Sequence, residues 1–286
     1  MRLLIVNVLE DGADVRFKKV ALIRLPVRLG QEVFAKRTIS SETRERFLEG
    51  MRAFYYLLRV HGVTHFRAFA TSAMREAKNS QELVDQVQDL TGIEIGVIDG
   101  KTEANIIFSG HFQEQLEPDS NYVYVDVGGG STEITILHQG DVQASRSFRL
   151  GTLRMLNGMA QEDEWKQMKT WIKTQTGGLD HVEMIGSGGN INKLYKLSDK
   201  KYPRPLLYHE LKAIKNQLAA LTFEARIKQY GLNPDRADVI VPAAEIYFSV
   251  MKWSDCSILH VPKIGLADGV IMELYREYQA GVNRQK

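Results

Sequence analysis

The sequence holds one cysteine, no long apolar run and almost no net charge, and each shortage excludes something. With Cys256 alone no internal disulfide forms, which rules out a small disulfide-stapled secreted scaffold and fits a reducing cytoplasm. No apolar stretch approaches the roughly 18–20 residues that a bilayer span needs, so no membrane partner is expected. The apolar run from Leu3 to Leu9 is short and ends in Glu10-Asp11-Gly12, unlike a signal peptide. Lys and Arg total 37 against 35 Asp and Glu, and the resulting charge of +2 gives no reason to expect nucleic acid. Cys256 sits at the mouth of an expected strand, Ser257–Val261, and reads as core because free cysteine is usually buried.

What is present is an ordinary globular composition, 44% hydrophobic and 25% charged, in a chain of 286 residues, long enough for two domains. The chain is organised around the stretch from Tyr122 to Leu137. An alternating apolar run reaches Asp126, Gly128-Gly129-Gly130-Ser131 turns the chain, and a second β-rich run carries Glu133. Glycines let backbone amides approach an anion closely. Two acids at the shoulders of such a turn suit Mg²⁺, which takes few carboxylates and completes its shell with water and phosphate oxygen. The same residues also suit a plain tight hairpin whose glycines only supply unusual dihedrals.

Before this stretch, Leu3–Leu9 and Val15–Leu25 read as a hairpin, and Ser41 opens a helix with Phe47, Met51, Phe54, Leu57 and Leu58 on one stripe. Phe66–Ala70 reads as a buried strand, Asn79 with Glu82 as a capping pair, Ile93–Ile98 as a strand, and Asp99-Gly100 as the lead into a helix carrying Glu103. After it, Tyr122–Val127, Thr132–Leu137 and Val142–Leu150 form a meander. A helical region through Trp165 and Trp171 follows, then the strand His181–Ile185, helices over 208–252 and a last helix from Leu266. Strands alternating with helices predict an α/β sheet with ligands beyond strand ends. The halves repeat one plan, with Arg2–Val6 aligned to Glu133–Leu137. On that alignment the first strand and turn of the first half would precede Met1, and a clipped N-terminus is expected.

Four further segments carry candidate chemistry, each with a plainer alternative. Arg75, in Thr71-Ser72-Ala73-Met74-Arg75 after a strand, offers a guanidinium for phosphate or a solvated side chain on a first helical turn. Glu103 near a helix start is also explained by the helix dipole. Gly186-Ser187-Gly188-Gly189 follows a strand and opens a helix, as anion and nucleotide loops do. Lys193, Lys196, Lys200, Lys201 and Arg204 form either a solvated face or a polyanion track.

In combination these segments resemble the exopolyphosphatase/guanosine pentaphosphate phosphatase family of the actin-like ATPase superfold. The resemblance rests on Thr71–Arg75, Asp99–Ala104, Asp126–Glu133, Ser147–Gly151, Gly186–Asn190 and Gly265–Gly269, in that order. It implies two ribonuclease-H-like α/β domains, 1–115 and 116–286, with an inter-domain cleft and the last helix packing back on the first domain. It further implies Glu103 as the base that activates water, and Asp126 and Glu133 as Mg²⁺-associated acids. Gly128, Gly129, Gly130, Ser131, Gly188 and Gly189 would line the phosphate site with Arg75. Two departures stand out: the family's Asp-x-Gly-Ser-Asn phosphate loop is not in this sequence, and Ala267 stands where the family usually has arginine.

The expected reaction is removal of the terminal phosphate of inorganic polyphosphate by a water nucleophile with Mg²⁺. Guanosine pentaphosphate is the alternative substrate, and a homodimer is compatible with the resemblance. A non-catalytic phosphate or alarmone sensor and a metabolite kinase of the same superfold are the readings from other classes.

Overall fold

The computed structural model describes residues 1–12, 14–108, 117, 120–262 and 265–284. Two compact units emerge, Met1–Asp99 with Leu266–Lys286, and Gly100–Gly265. The division falls at Asp99 and not near 115, so the helix carrying Glu103 belongs with the second unit.

In the first unit the apolar runs form the hairpin β1 (Arg2–Asp11) and β2 (Asp14–Arg24), antiparallel with a bulge beside Ile5. Helix α1 (Gly30–Lys36) precedes α2 (Ser41–Val60), where the Ser40 hydroxyl accepts the Thr43 N–H at 3.3 Å as a cap. Of the expected stripe, Phe47, Met51, Phe54 and Leu58 are buried. β3 (Ala68–Ala70) is shorter than the run predicts, because Phe66 is exposed, and it pairs in parallel with β4 (Ile95–Val97). Between them lie α3 (Ser72–Glu76) and α4 (Ser80–Thr91). The expected capping pair at α4 does not form. The Asn79 amide instead locks onto Ile39, accepting its N–H and donating to its carbonyl, each at 2.9 Å. The Glu82 carboxylate accepts from Arg44 at 2.6 Å. A tertiary backbone edge thus outcompetes the local helix end for the asparagine. The pairs β1–β2 and β3–β4 are separate two-stranded sheets.

The second unit opens with α5 (Gly100–Phe108) and is built on one mixed sheet. β5 (Asn121–Val127), β6 (Thr132–His138) and β7 (Asp141–Phe148) form the expected antiparallel meander. The sheet continues with β8 (Val182–Ser187) parallel to β5, then β10 (Ile258–His260), then the short β9 (Leu206–Leu207). The full order of this sheet is β7-β6-β5-β8-β10-β9. β5 is buried on both faces except at half-buried Asp126, which explains its nearly unbroken apolar sequence. The helices are α6 (Thr152–Leu156), α7 (Glu162–Thr176), α8 (Gly189–Leu197), α9 (Tyr208–Ala219), α10 (Phe223–Tyr230), α11 (Pro234–Ala237) and α12 (Ile240–Trp253). α12 is apolar nearly all round and correspondingly buried, with Ile240, Ala243, Ile246, Tyr247 and Val250 in the core beside Val123, Val125 and Val127.

The last helix, α13 (Leu266–Arg284), counts with the first unit, where Asp268 pairs with Lys19 at 2.6 Å and Glu277 with Arg67 at 2.6 Å. Among the described residues no helix is long and apolar enough to cross a membrane.

Cys256 is buried, with the Ser254 hydroxyl at 3.0 Å. Burial first, then the Asp255 and Glu183 charges, push its thiol up to about 12. A thiol pKa raised that far leaves the neutral form dominant at every pH below it, and the thiolate is the reactive species. Cys256 is therefore expected to resist Ellman's reagent at pH 8 in the folded protein and to react fully in guanidinium chloride; equal rates in both would place it at the surface.

Candidate active site

The register of β5 assembles the site. Asp126 lies directly opposite Glu133 on β6 and level with Ser187 on β8, and Glu133 lies opposite Ser147 on β7. Side chains directly opposite in an antiparallel pair share a face, with Cβ atoms about 5 Å apart. The carboxylates of Asp126 and Glu133 and the Ser147 hydroxyl are therefore neighbours on one face. Glu133 is 6% exposed, and its Oε1 accepts the Ser131 hydroxyl at 2.6 Å and the Ser147 hydroxyl at 3.0 Å. Such bonds are what a buried carboxylate needs in place of water.

The loop between β5 and β6 is not a plain hairpin turn. None of Gly128, Gly129 and Gly130 has a positive φ, so unusual dihedrals do not explain them. Close approach does. A Cβ on Gly129 would stand 3.0 Å from Leu153 Cδ1, and one on Gly151 would stand 2.5 Å from the backbone of Gly129 and Gly130. Gly151 brings the start of α6 against the loop, where the N–H groups of Thr152 and Leu153 donate to the carbonyls of Gly128 (3.0 Å) and Gly129 (2.8 Å). The buried Arg154 donates from Nε to the Gly130 carbonyl at 2.7 Å. All three carbonyls are thus bound on the α6 side. The Gly128 N–H closes onto the Ser131 carbonyl at 2.9 Å. Among the described residues the N–H groups of Gly129, Gly130 and Ser131 donate to no backbone carbonyl, which suits them to an anion.

The second loop lies beside the first, because β5 and β8 are parallel neighbours ending level with each other. In such sheets ligands bind outside the carboxyl ends of the strands. Gly188 has φ +99°, and a Cβ there would lie 2.9 Å from Asp126 Oδ1, so glycine is required for both conformation and space. Gly189 begins α8 under the guanidinium of Arg236, which donates to the Gly189 carbonyl and to Asn190 Oδ1.

Glu103 is half-buried in the first turn of α5. A Cβ on Gly100, one turn earlier, would touch Ser147 Cβ at 3.0 Å and Glu133 Cγ at 3.4 Å, so this helix starts directly on the acidic face. The buried Tyr124 hydroxyl registers the convergence: burial first, then Asp126, with Tyr247 and Glu103 as smaller causes, push its pKa well above the ordinary value. Asp126, Glu133 and Glu103 thus gather with both glycine loops in the second unit. Arg75 belongs to the first unit, where its guanidinium donates to the Ile98 carbonyl at 2.5 Å. Among the described residues no group of three or more His, Cys, Asp or Glu side chains forms a metal cluster. A hydrated Mg²⁺ on two carboxylates fits the donor set better than a cation needing a full protein cage.

Sequence reading missed Tyr247, Arg154 and Arg236, and named Ser187 only as a member of its glycine loop. Tyr247 sits inside an apolar helix and reads as core; its one polar atom was the only available hint. The lysine run, in turn, is not an open track. The Lys200 ammonium pairs with Glu210 at 2.7 Å and Lys193 donates to the Tyr230 carbonyl at 3.1 Å, while Lys196, Lys201 and Arg204 are exposed.

Gly151→Ala is expected to cost about 1–3 kcal/mol, the usual penalty of overpacking, because only backbone stands in the way of the new methyl. Hydrogen exchange should quicken at Gly129 and Gly130; an unchanged urea midpoint and unchanged exchange would refute this packing account.

The sequence pattern of the Ppx/GppA phosphatase family matches residues 6–277. Exopolyphosphatase 2 of Mycobacterium tuberculosis is 32% identical over 278 residues, spanning 87% of this chain and 86% of that protein. A bifunctional 3-dehydroquinate synthase/phosphatase of Fusobacterium nucleatum is 26% identical over 95% of this chain. A guanosine-5'-triphosphate,3'-diphosphate pyrophosphatase of Photobacterium profundum is 24% identical over 89% of it. The chain spans 44% and 54% of those two longer proteins. Among solved structures, an exopolyphosphatase from Cytophaga hutchinsonii superposes with TM-score 0.82 at 26% identity, covering 94% of this chain and 92% of that one. The glycine loops, the facing acids and Glu103 all fall inside the matched range, and the chain belongs to the Ppx/GppA phosphatase family.

Proposed function

We propose that this protein hydrolyses the terminal phosphate of inorganic polyphosphate, with Mg²⁺ and a water nucleophile activated by Glu103. The observation that carries the reading is the convergence of Asp126, Glu133 and Glu103 on two glycine loops at the ends of adjacent parallel strands. Relatives named exopolyphosphatase that match nearly end to end support it.

In this reading the N–H groups of Gly129, Gly130 and Ser131 hold the terminal phosphate, with Gly188 and Gly189 beside it. Asp126 and Glu133 would hold the Mg²⁺, which when bound neutralises charge on the phosphate oxygens. The Glu103 carboxylate takes a proton from water as the water oxygen bonds to phosphorus. The bridging P–O bond breaks, releasing orthophosphate and a chain shorter by one unit. Positioning and charge stabilisation carry most of the barrier reduction in such transfers. The half-burial of Glu103 suits a general base better than a solvated surface acid.

Guanosine pentaphosphate is the second reading, favoured by the relatives named guanosine-5'-triphosphate,3'-diphosphate pyrophosphatase and by the broken lysine track, which lends a polymer little. A cytoplasmic location is part of the same proposal and rests on the single, buried cysteine.

Orthophosphate release from polyphosphate and from guanosine pentaphosphate, each with and without Mg²⁺, tests the reading. Glu103→Gln should lower kcat at least about 100-fold, as loss of a general base does, with polyphosphate affinity nearly unchanged. Retained turnover in that variant would remove Glu103 as the base, and binding without hydrolysis in the wild type would favour a sensor.

A further inference from the structure

We infer that Tyr247 is a positioning residue whose hydroxyl, inserted between the ends of β5 and β8, sets the separation of the two glycine loops. The ring is fully buried in α12, packed in the core with the valines of β5, and its hydroxyl reaches the ends of two strands. It accepts the Val127 N–H at 3.3 Å and donates to the Ser187 carbonyl. Val127 immediately precedes Gly128, and Ser187 immediately precedes Gly188. One atom therefore touches both strands at the last residue before each loop.

The ladder explains why this matters. β5 and β8 pair in register through Asp126 and Ser187 and no further. Beyond that pair the link is N–H to hydroxyl to carbonyl, so an oxygen stands in the ladder where strands otherwise bond directly. An inserted oxygen holds the strand ends apart where the loops diverge, which leaves room for Asp126 against Gly188. A phenol suits the task because it donates and accepts at once. Burial first, then the Asp126 charge, raise its pKa well above the ordinary value, so it stays protonated and can donate to the carbonyl. Phenylalanine would fill the same space and leave a buried N–H and a buried C=O without their common partner. Tyr247 acts through Val127 and Ser187 and has no role with the phosphate itself.

The activity arm of the test rests on the proposed hydrolysis; the exchange arm does not. In Tyr247→Phe the amides of 128–131 and 188–190 should exchange together at least about tenfold faster, reflecting loss of a shared buried bond. The kcat on tripolyphosphate should fall about ten- to a hundredfold while KM moves less than about threefold, the pattern of lost positioning. Ile246→Val, a neighbouring core change, should do neither. Unchanged exchange, acceleration in one loop only, or the same response in Ile246→Val would overturn the proposal. A wild type that hydrolyses nothing defeats the proposed function and leaves the exchange result to decide. Should Tyr247→Phe not fold, the wild-type Val127 amide decides: exchange as slow as that of Val125 supports the bond, and exchange as fast as that of Gly129 overturns it.

Discussion

β5 is hydrogen-bonded along both edges, antiparallel to β6 and parallel to β8, and the site depends on that double register. It holds Asp126 level with Glu133 on one side and Ser187 on the other. A slip of one residue against β6 would turn the two carboxylates to opposite faces and put a valine where the aspartate stands. Slippage is opposed by the core, since Val123, Val125 and Val127 are packed in the apolar cluster beneath α12. Hydrophobic burial on one face thus guarantees the acidic constellation on the other.

Above that frame the loops are shaped by backbone approaching backbone. Gly151 rests on Gly129 and Gly130 with no room for a methyl group, and Gly188 leaves no room for one against Asp126. α6 and Arg154 bind the carbonyls of the first loop, and that orientation sends its remaining amides the other way. The buried negative charge of Glu133 is stabilised by two serine hydroxyls contributed from different segments, Ser131 within the loop and Ser147 across the sheet. Charge, hydrogen bonds and sterics here reinforce each other in holding the shape of the loop.

The first unit repeats the plan only partly. Its hairpin and its β3–β4 pair stand as separate sheets, whereas in the second unit β5 joins the meander to β8. Its ordering relies more on side chains reaching backbone, as Asn79 does to Ile39 and Arg75 to Ile98, and on ion pairs to α13. Exposed ion pairs contribute little each, so the apolar cluster of Val33, Phe47, Met51, Leu83 and Val87 carries that unit.

Much of this was readable from the residues alone. Apolar patterns dictated the meander and α2, because burial rewards their periods whatever the partner, and the apolar runs beside a turn marked the hairpin although Val8, Leu9, Val20 and Leu22 stay exposed. Glycine clusters after strands marked both loops, and the acids beside them were legible as neighbours of those loops. Other features had no local signature. Asn79 beside Glu82 looks like a cap, yet Ile39, forty residues away, presents a better pair of backbone groups. Lys200 looks solvated, yet Glu210 folds back to meet it. Tyr247 looks like core, yet its hydroxyl lies between two strand ends far from it in sequence. Sequence alone determined which segments bury apolar surface and where the backbone must be free of side chains, since those are properties of each segment. Tertiary structure decided which polar groups are paired, because a hydrogen bond is settled by whichever partner arrives within about 3 Å, and that partner is usually distant in the chain.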